Sequence, residues 1–286
     1  MTFDNFIKTA WADHGDQPLV VAERLSTSPQ LAQTSSQIQA FTRLITHVYG
    51  EHLADWDAGI ALLQSLPRLA NEPAALSAIA VSTATLKYGR GDQDALASLT
   101  PLEQTITLAT ASSLFAAQQK LAMAIDSYSQ ALMSYPEFTG LPEEIPVHRA
   151  LAVGGNHLAC VLEEQKQRST TETAAMLQAA QSALKHWQRA GSWLETERAQ
   201  YRLCRSNLQA GLKDQAVQAA RRCLEICTQN NAPAFELFFA HAVLAIAQKD
   251  QNDAFELHRA AAIVCLEQVP ADEQHWCEAE LKELNK

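Results

Sequence analysis

The chain has 286 residues, of which 47% are hydrophobic and 19% are charged. This composition is typical of a folded globular protein and excludes a disordered one. With 22 basic and 32 acidic residues, the formal net charge is -10. Such a surface repels phosphate, so nucleic acid and anionic membranes are not expected as partners.

The first residues contain no charged segment followed by an apolar one, so no secretory signal is expected. No apolar run reaches the roughly 18 residues of a membrane-spanning helix. Six cysteines are scattered through alanine-rich, helical surroundings, which favours free thiols in a reducing compartment over disulfides. We therefore expect a cytoplasmic protein that does not enter a membrane.

Apolar residues follow a helical period almost throughout the chain. The first helix is predicted to carry one apolar stripe and to be capped by Thr2. The stripe consists of Phe3, Phe6, Ile7, Ala10 and Trp11. The whole pattern predicts an all-α protein of about twelve helices and almost no β-strand.

Other helix boundaries are marked by proline and glycine. Prolines that follow a capping residue predict helix starts at Ser28-Pro29, Asn71-Glu72-Pro73 and Thr100-Pro101. Helix ends are predicted at Gly89–Gly91, Tyr135-Pro136, Gly191, Gly211 and Val269-Pro270. The glycine pair Gly154-Gly155 interrupts a helical run and predicts a close helix–helix contact, because a phosphate loop would need a preceding strand and a lysine.

The helices are predicted to pack as pairs, because small residues alternate with aromatic ones at fixed spacing. Ser112, Ala124 and Ala131 allow two helices to approach, and Phe115 and Tyr128 fill the space between them. A proline then ends the second helix, at Pro136.

This spacing resembles that of the tetratricopeptide-repeat family. Equivalent small residues recur, at intervals less regular than the family's 34 residues, at Ala58, Ala95, Ala124, Ala175, Ala216 and Ala254. The resemblance implies a right-handed superhelix of antiparallel helix pairs, an α-solenoid, over residues 36–268. Residues 1–35 would add N-terminal helices and residues 269–286 a capping helix, in one domain spanning 1–286 with a bend at 135–146.

The resemblance also implies a concave groove that binds other proteins or peptides. In such a solenoid the first helix of each pair lines the groove. The candidate binding residues there are Asn156, Glu163, Arg198, Tyr201, Arg202 and Arg205. The arginines would pair with carboxylates, Tyr201 would stack, and Asn156 would bind a peptide backbone. The alternative is that the arginines pair within their own helix with Glu195 and Glu197.

Arg43 and His47 form a second candidate patch. His47 and Glu51 are four residues apart and could share a metal ion on a continuous helix, whereas His47 and His52, five apart, fit less well. Gly50 predicts that the helix ends there and that these groups point apart. We therefore expect His47 to line the groove beside Arg43, without a metal.

The cysteines of the second half are expected to pack in the core. Cys223 and Cys227 lie four apart on one helix and face Cys204, so they could bind a metal, but small-residue positions of the repeat favour packing. No catalytic arrangement is recognisable, and no cofactor is expected.

The sequence thus predicts a non-catalytic helical-repeat protein that binds a protein segment or peptide in its groove. The alternative is a metal- or small-molecule-binding sensor that uses histidines and cysteines. An enzyme would need a deep polar pocket with perturbed acid–base groups. Self-association into a homodimer through exposed terminal helices also stays open.

Overall fold

The computed structural model describes residues 2–67, 72–135 and 144–286. Helix accounts for 80% of the structure, and the described residues contain no strand, which confirms the all-α prediction. None of the helices in these ranges is long and apolar enough to cross a membrane. All six cysteines are free thiols, as expected.

The chain forms two compact units, Met1–Gly154 and Gly155–Lys286. The first contains α1 (Phe3–Asp13), α2 (Pro18–Ser26), α3 (Ser35–Ile45), α4 (Trp56–Ser65), α5 (Pro73–Gly89), α6 (Pro101–Ala117), α7 (Leu121–Ser134) and the first half of α8 (Ile145–Glu163). Short 3-10 turns lie at Pro29–Leu31 and Gln93–Leu96. A π-helical segment, Thr46–His52, continues directly from α3.

The second unit contains the rest of α8 and six further helices. These are α9 (Thr170–Ala190), α10 (Trp193–Gln209), α11 (Lys213–Gln229), α12 (Ala234–Ala247), α13 (Asn252–Leu266) and α14 (Glu278–Leu284), the last preceded by a 3-10 turn at Gln274–Cys277. One continuous solenoid over residues 1–286 stays a prediction, and residues 136–143 of the predicted bend lie outside the described part.

Most predicted helix boundaries are confirmed. The Thr2 side chain accepts a hydrogen bond from the Asn5 amide, and Thr100 forms a capping box with Glu103 in front of Pro101. Gly91 and Gly211 follow helix ends at φ values of 106° and 74°, where side chains other than glycine are strained.

The predicted helix start at Ser28-Pro29 is wrong. Pro29 begins only a 3-10 turn, and Ser28 makes no capping hydrogen bond through its side chain. The next α-helix begins at Ser35, because Thr34 and Gln37 form a capping box that satisfies the free amides of its first turn.

The predicted pairing of α6 with α7 is confirmed. Ser112 donates from Oγ to the Ala124 carbonyl at 2.9 Å, and Ser127 donates back to the Leu108 carbonyl at 2.8 Å. Phe115 is buried, and its ring centre lies 6.1 Å from that of Tyr88 in α5. Helices α10 and α11 pack as a pair in the same way, as do α12 and α13.

The predicted repeat at Ala95 is wrong, because Ala95 lies in a 3-10 turn and not in a second helix. Gly91 reverses the chain after α5, and the Asp92 side chain then caps the turn by accepting from the Asp94 amide. Helix α5 packs on α6 directly.

Gly154 confirms the close helix contact predicted for the glycine pair. A β-carbon built on Gly154 would lie 2.6 Å from the carbonyl oxygen of Ala109 in α6. That atom belongs to the helix backbone and cannot move aside as a flexible side chain could.

We predict that Gly154→Ala lowers the free energy of unfolding by about 1–3 kcal/mol, the usual range for an overpacked core. Urea unfolding followed by circular dichroism measures the change. Gly15→Ala is the matched control, since nothing lies within 4 Å of its β-carbon position. Equal stability of the two variants would contradict the close contact.

Candidate functional site

A groove with a volume of about 790 Å³ lies in the unit of residues 155–286. Helices α8, α10 and α12 and the C-terminal segment around α14 form its walls. The structure brings six of the predicted binding residues together along this groove: Asn156, Glu163, Arg198, Tyr201, Arg202 and Arg205. Spacing along α10 was enough to find four of them, because residues three and four apart share a helix face.

Each guanidinium of the groove is paired with a carboxylate from another helix. Arg198 binds Glu236 of α12 at 2.5 Å, and Arg205 binds Glu283 of α14 through two hydrogen bonds of 2.6 and 3.0 Å. Arg202 forms an ion pair with a third carboxylate, Glu163 of α8. The carboxylates of these pairs therefore come from neighbouring helices, not from within α10.

Glu163, predicted as a ligand-binding residue, holds two side chains of α10. It accepts from Arg202 and, at 2.6 Å, from the Ser206 hydroxyl. Burial raises the pKa of Glu163 although Arg202 and Ser206 act in the opposite direction. The side chain therefore serves the packing of α8 on α10, whatever else the groove binds.

Tyr201 is also engaged by the chain itself. Its hydroxyl donates to Glu280 of α14, and its ring meets Phe239 edge-on with centroids 5.8 Å apart. Burial and, next, the charge of Glu280 raise the pKa of Tyr201 well above its usual range. The phenol therefore stays protonated and acts as a donor.

The C-terminal segment, predicted to form a capping helix, has one buried and one exposed face. Trp276 lies on the exposed side and is 65% exposed at the groove. The buried positions are Cys277, Glu280 and Leu284. Helix α14 is therefore attached to the groove wall by its carboxylates as well as by apolar contacts.

The groove lining carries more acid than base. Its carboxyl groups are those of Glu163, Glu164, Glu197, Glu236 and Glu280, against the three arginines. Because the arginines are already paired, an incoming group meets aromatic rings and exposed carboxylate, as at Glu164 on the rim.

Glu197 is the functional candidate that sequence reasoning missed. It is only 1% exposed, and its Oε1 accepts a hydrogen bond from the Cys223 thiol at 2.8 Å. Its Oε2 is buried without a hydrogen-bond partner among the described residues. Burial raises the pKa of Glu197 to about 7. A glutamate in a helix as rich in charged residues as α10 gives no local signal of such burial.

The expected core packing of the nearby cysteines is confirmed, since Cys204, Cys223 and Cys227 are fully buried. Burial raises the pKa of the Cys204 thiol to about 12. The pKa of Cys223 is raised by its hydrogen bond with Cys227 and by burial. The Cys204 and Cys223 thiols therefore stay protonated and inert at neutral pH.

The second predicted patch, formed by Arg43 and His47, lies in the unit of residues 1–154. Arg43 is exposed on α3, and His47 lies in the π-helical segment that follows. The prediction that Gly50 ends the helix and turns the groups apart is wrong. Gly50 is buried inside the π-helical segment, and a β-carbon there would lie 2.8 Å from Leu114 Cδ2. His47 Nδ1 consequently lies 3.1 Å from a carboxylate oxygen of Glu51.

No family model matches the sequence, and no curated protein matches it. The resemblance to tetratricopeptide repeats therefore stays a prediction made from residue spacing.

We predict that Glu197 makes the free energy of unfolding depend on pH. Its pKa is about 7 in the folded chain against an ordinary value of 4.5, so the folded state keeps a proton that the unfolded state releases. Stability should fall as pH rises from about 4.5 to 7 and then level off, by on the order of 3 kcal/mol in total.

Glu197→Gln should remove this contribution, so the variant gains stability over the wild type as pH rises from 5 to 8. Urea unfolding at each pH measures the difference. Glu164→Gln, which removes an exposed carboxyl of the same groove, is the control and should follow the wild type. A difference between Glu197→Gln and wild type that does not change with pH would contradict the assignment.

Proposed function

We propose that this chain is a non-catalytic helical-repeat protein that binds a protein segment or peptide in the groove of residues 155–286. The segment would combine an apolar side chain with lysine or arginine. The supporting observation is the groove lining, which joins aromatic rings to an excess of carboxyl groups. The packed pairs α6–α7, α10–α11 and α12–α13 support a divergent tetratricopeptide-like solenoid as the scaffold.

Aromatic side chains would supply most of the binding energy. Phe235, Phe239 and Trp276 line the groove, and Trp276 is 65% exposed before any ligand binds. Covering such a ring removes apolar surface from water, and a cation above its face adds an attraction of about 0.5–2 kcal/mol. A peptide with an apolar and a basic residue side by side would use both.

The charges of the groove lining favour the binding of a basic peptide segment over an acidic one. Arg198 is the most exposed of the three arginines, at 58% of its side chain, but its carboxylate partner Glu236 is only 7% exposed. An incoming carboxylate would have to displace Glu236 and leave a buried charge without its partner, which is costly. A lysine or arginine instead gains the exposed carboxylate of Glu164.

The low accessibility of Glu197 supports a binding function over a catalytic one. A pKa of about 7 suits a general acid or base. At 1% exposure, however, the carboxyl offers a substrate almost no surface to reach.

We also propose that the protein is located in the reducing cytoplasm, a proposal supported by its six free thiols.

Selection of peptides from a random displayed library on the immobilised full-length chain tests the proposal. We expect enrichment of peptides that carry lysine or arginine next to an aromatic residue or leucine. Fluorescence anisotropy then gives the dissociation constant of an enriched peptide. Glu164→Lys and Trp276→Ala should each weaken it about tenfold, the first by replacing attraction with repulsion.

Glu267→Lys is the matched control, because it makes the same charge change at an exposed position at the end of α13, outside the groove lining. It should change the dissociation constant less than twofold. Failure to enrich any peptide, enrichment of acidic peptides, or equal losses in Glu164→Lys and Glu267→Lys would each refute the proposed mode of binding.

A further inference from the structure

Three histidine rings meet in the unit of residues 1–154. His14 directly follows α1 as its C-cap residue, whereas His47 and His52 lie in the π-helical segment. One ring nitrogen of each lies within 4.8 Å of the others. His52 is exposed and the other two rings are half-buried, so solvent ions can reach the cluster.

The π-helical geometry brings two of these rings together. In an α-helix each residue turns the chain by about 100°, so side chains five residues apart point about 140° away from each other. In a π-helix, hydrogen bonds join residues five apart, as between the Leu53 amide and the Val48 carbonyl at 3.1 Å. His47 and His52 therefore share a face, and their Nε2 atoms lie 3.2 Å apart.

The 3.2 Å between the Nε2 atoms of His47 and His52 and the spacing of the three rings match the coordination shell of a tetrahedral metal ion. Two nitrogens bound to Zn²⁺ at 2.0–2.1 Å lie about 3.3 Å apart, and the ring centres of coordinated imidazoles lie about 5 Å apart. The ring centre of His47 lies 4.8 Å from that of His14 and 4.8 Å from that of His52. The remaining separation, between His14 and His52, is 5.2 Å.

Hydrogen bonds to the far side of two rings orient them for binding. His47 Nδ1 lies 3.1 Å from Glu51 Oε1, and His14 Nδ1 lies 2.6 Å from the Trp11 carbonyl oxygen. Because a carboxylate or carbonyl oxygen only accepts, each Nδ1 carries the proton and each Nε2 keeps a lone pair. Metal-binding histidines typically have such a carboxylate or carbonyl behind the ligating ring.

We propose that His14, His47 and His52 bind a divalent transition-metal ion, with Zn²⁺ the best match to the spacing. The ion takes the place of the proton shared between the Nε2 atoms of His47 and His52, and that proton moves to His52 Nδ1 or to solvent. Three protein ligands leave the fourth position of a tetrahedral ion to water. Imidazole nitrogen suits zinc and its neighbours in the first row better than magnesium or calcium.

Calorimetric titration of the full chain with Zn²⁺, after removal of metal with a chelator, tests the proposal. We expect about one ion per chain with a dissociation constant in the micromolar range or below. Trp11 gives a second readout, since its ring centre lies 5.1 Å from that of His14 and 5.2 Å from that of His47. Its fluorescence should change with the same stoichiometry and be quenched by Cu²⁺.

His14→Ala and His52→Ala each remove one ligand near the surface and should weaken binding at least tenfold. His258→Ala is the matched control. It removes a ring of the pair His241–His258, whose Nδ1 atoms lie 3.2 Å apart but which gains no third ligand among the described residues. This variant should bind Zn²⁺ as the wild type does.

Glu51→Gln keeps all three rings and should still weaken binding about tenfold, because the carboxylate behind His47 is lost. It supports the site even if a histidine variant misfolds. The proposal is overturned if the wild type binds no Zn²⁺ at micromolar concentration. It is equally overturned if His258→Ala abolishes binding while His14→Ala and His52→Ala retain it.

Discussion

Neighbouring helices lie so close together that several contacts have no room for a larger side chain. A β-carbon on Gly154 would reach the carbonyl oxygen of Ala109, and one on Gly50 would reach Leu114. Ser112 and Ser127 use the same closeness to donate to the backbone of the facing helix. Once helices are held at this distance their rotation is fixed too, so the polar groups on their outer faces meet in defined combinations. The histidine cluster, whose π-helical segment includes Gly50, depends on that rotation.

In the groove of residues 155–286, close packing requires that the buried charged side chains be paired. Burying a guanidinium or a carboxylate is costly unless a partner and further hydrogen bonds compensate. Arg202, Glu163 and Ser206 meet this requirement across α8 and α10, and Arg205 with Glu283 meets it between α10 and α14. These contacts orient the groove wall before any ligand binds.

Local patterns predicted the elements far better than the contacts between them. Capping at Thr100 and chain reversal at Gly91 depend on residues only a few positions apart, and both were predictable. Ala95 was not, because a 3-10 turn shows nearly the same spacing of apolar residues as an α-helix. The face of α10 that carries Arg198 and Tyr201 also followed from helical period.

Their partners could not be predicted in the same way. Glu280 pairs with Tyr201 from 79 residues away, and the Cys223 thiol reaches Glu197 from 26 residues away, so no local pattern links them. The π-helical segment is also sensitive to the number of residues it contains. It holds one residue more per turn than an α-helix, so an insertion of one residue suffices to create it and a deletion removes it. Such a deletion ahead of His47 would leave the amino-acid composition almost untouched and point His52 about 140° away from His47.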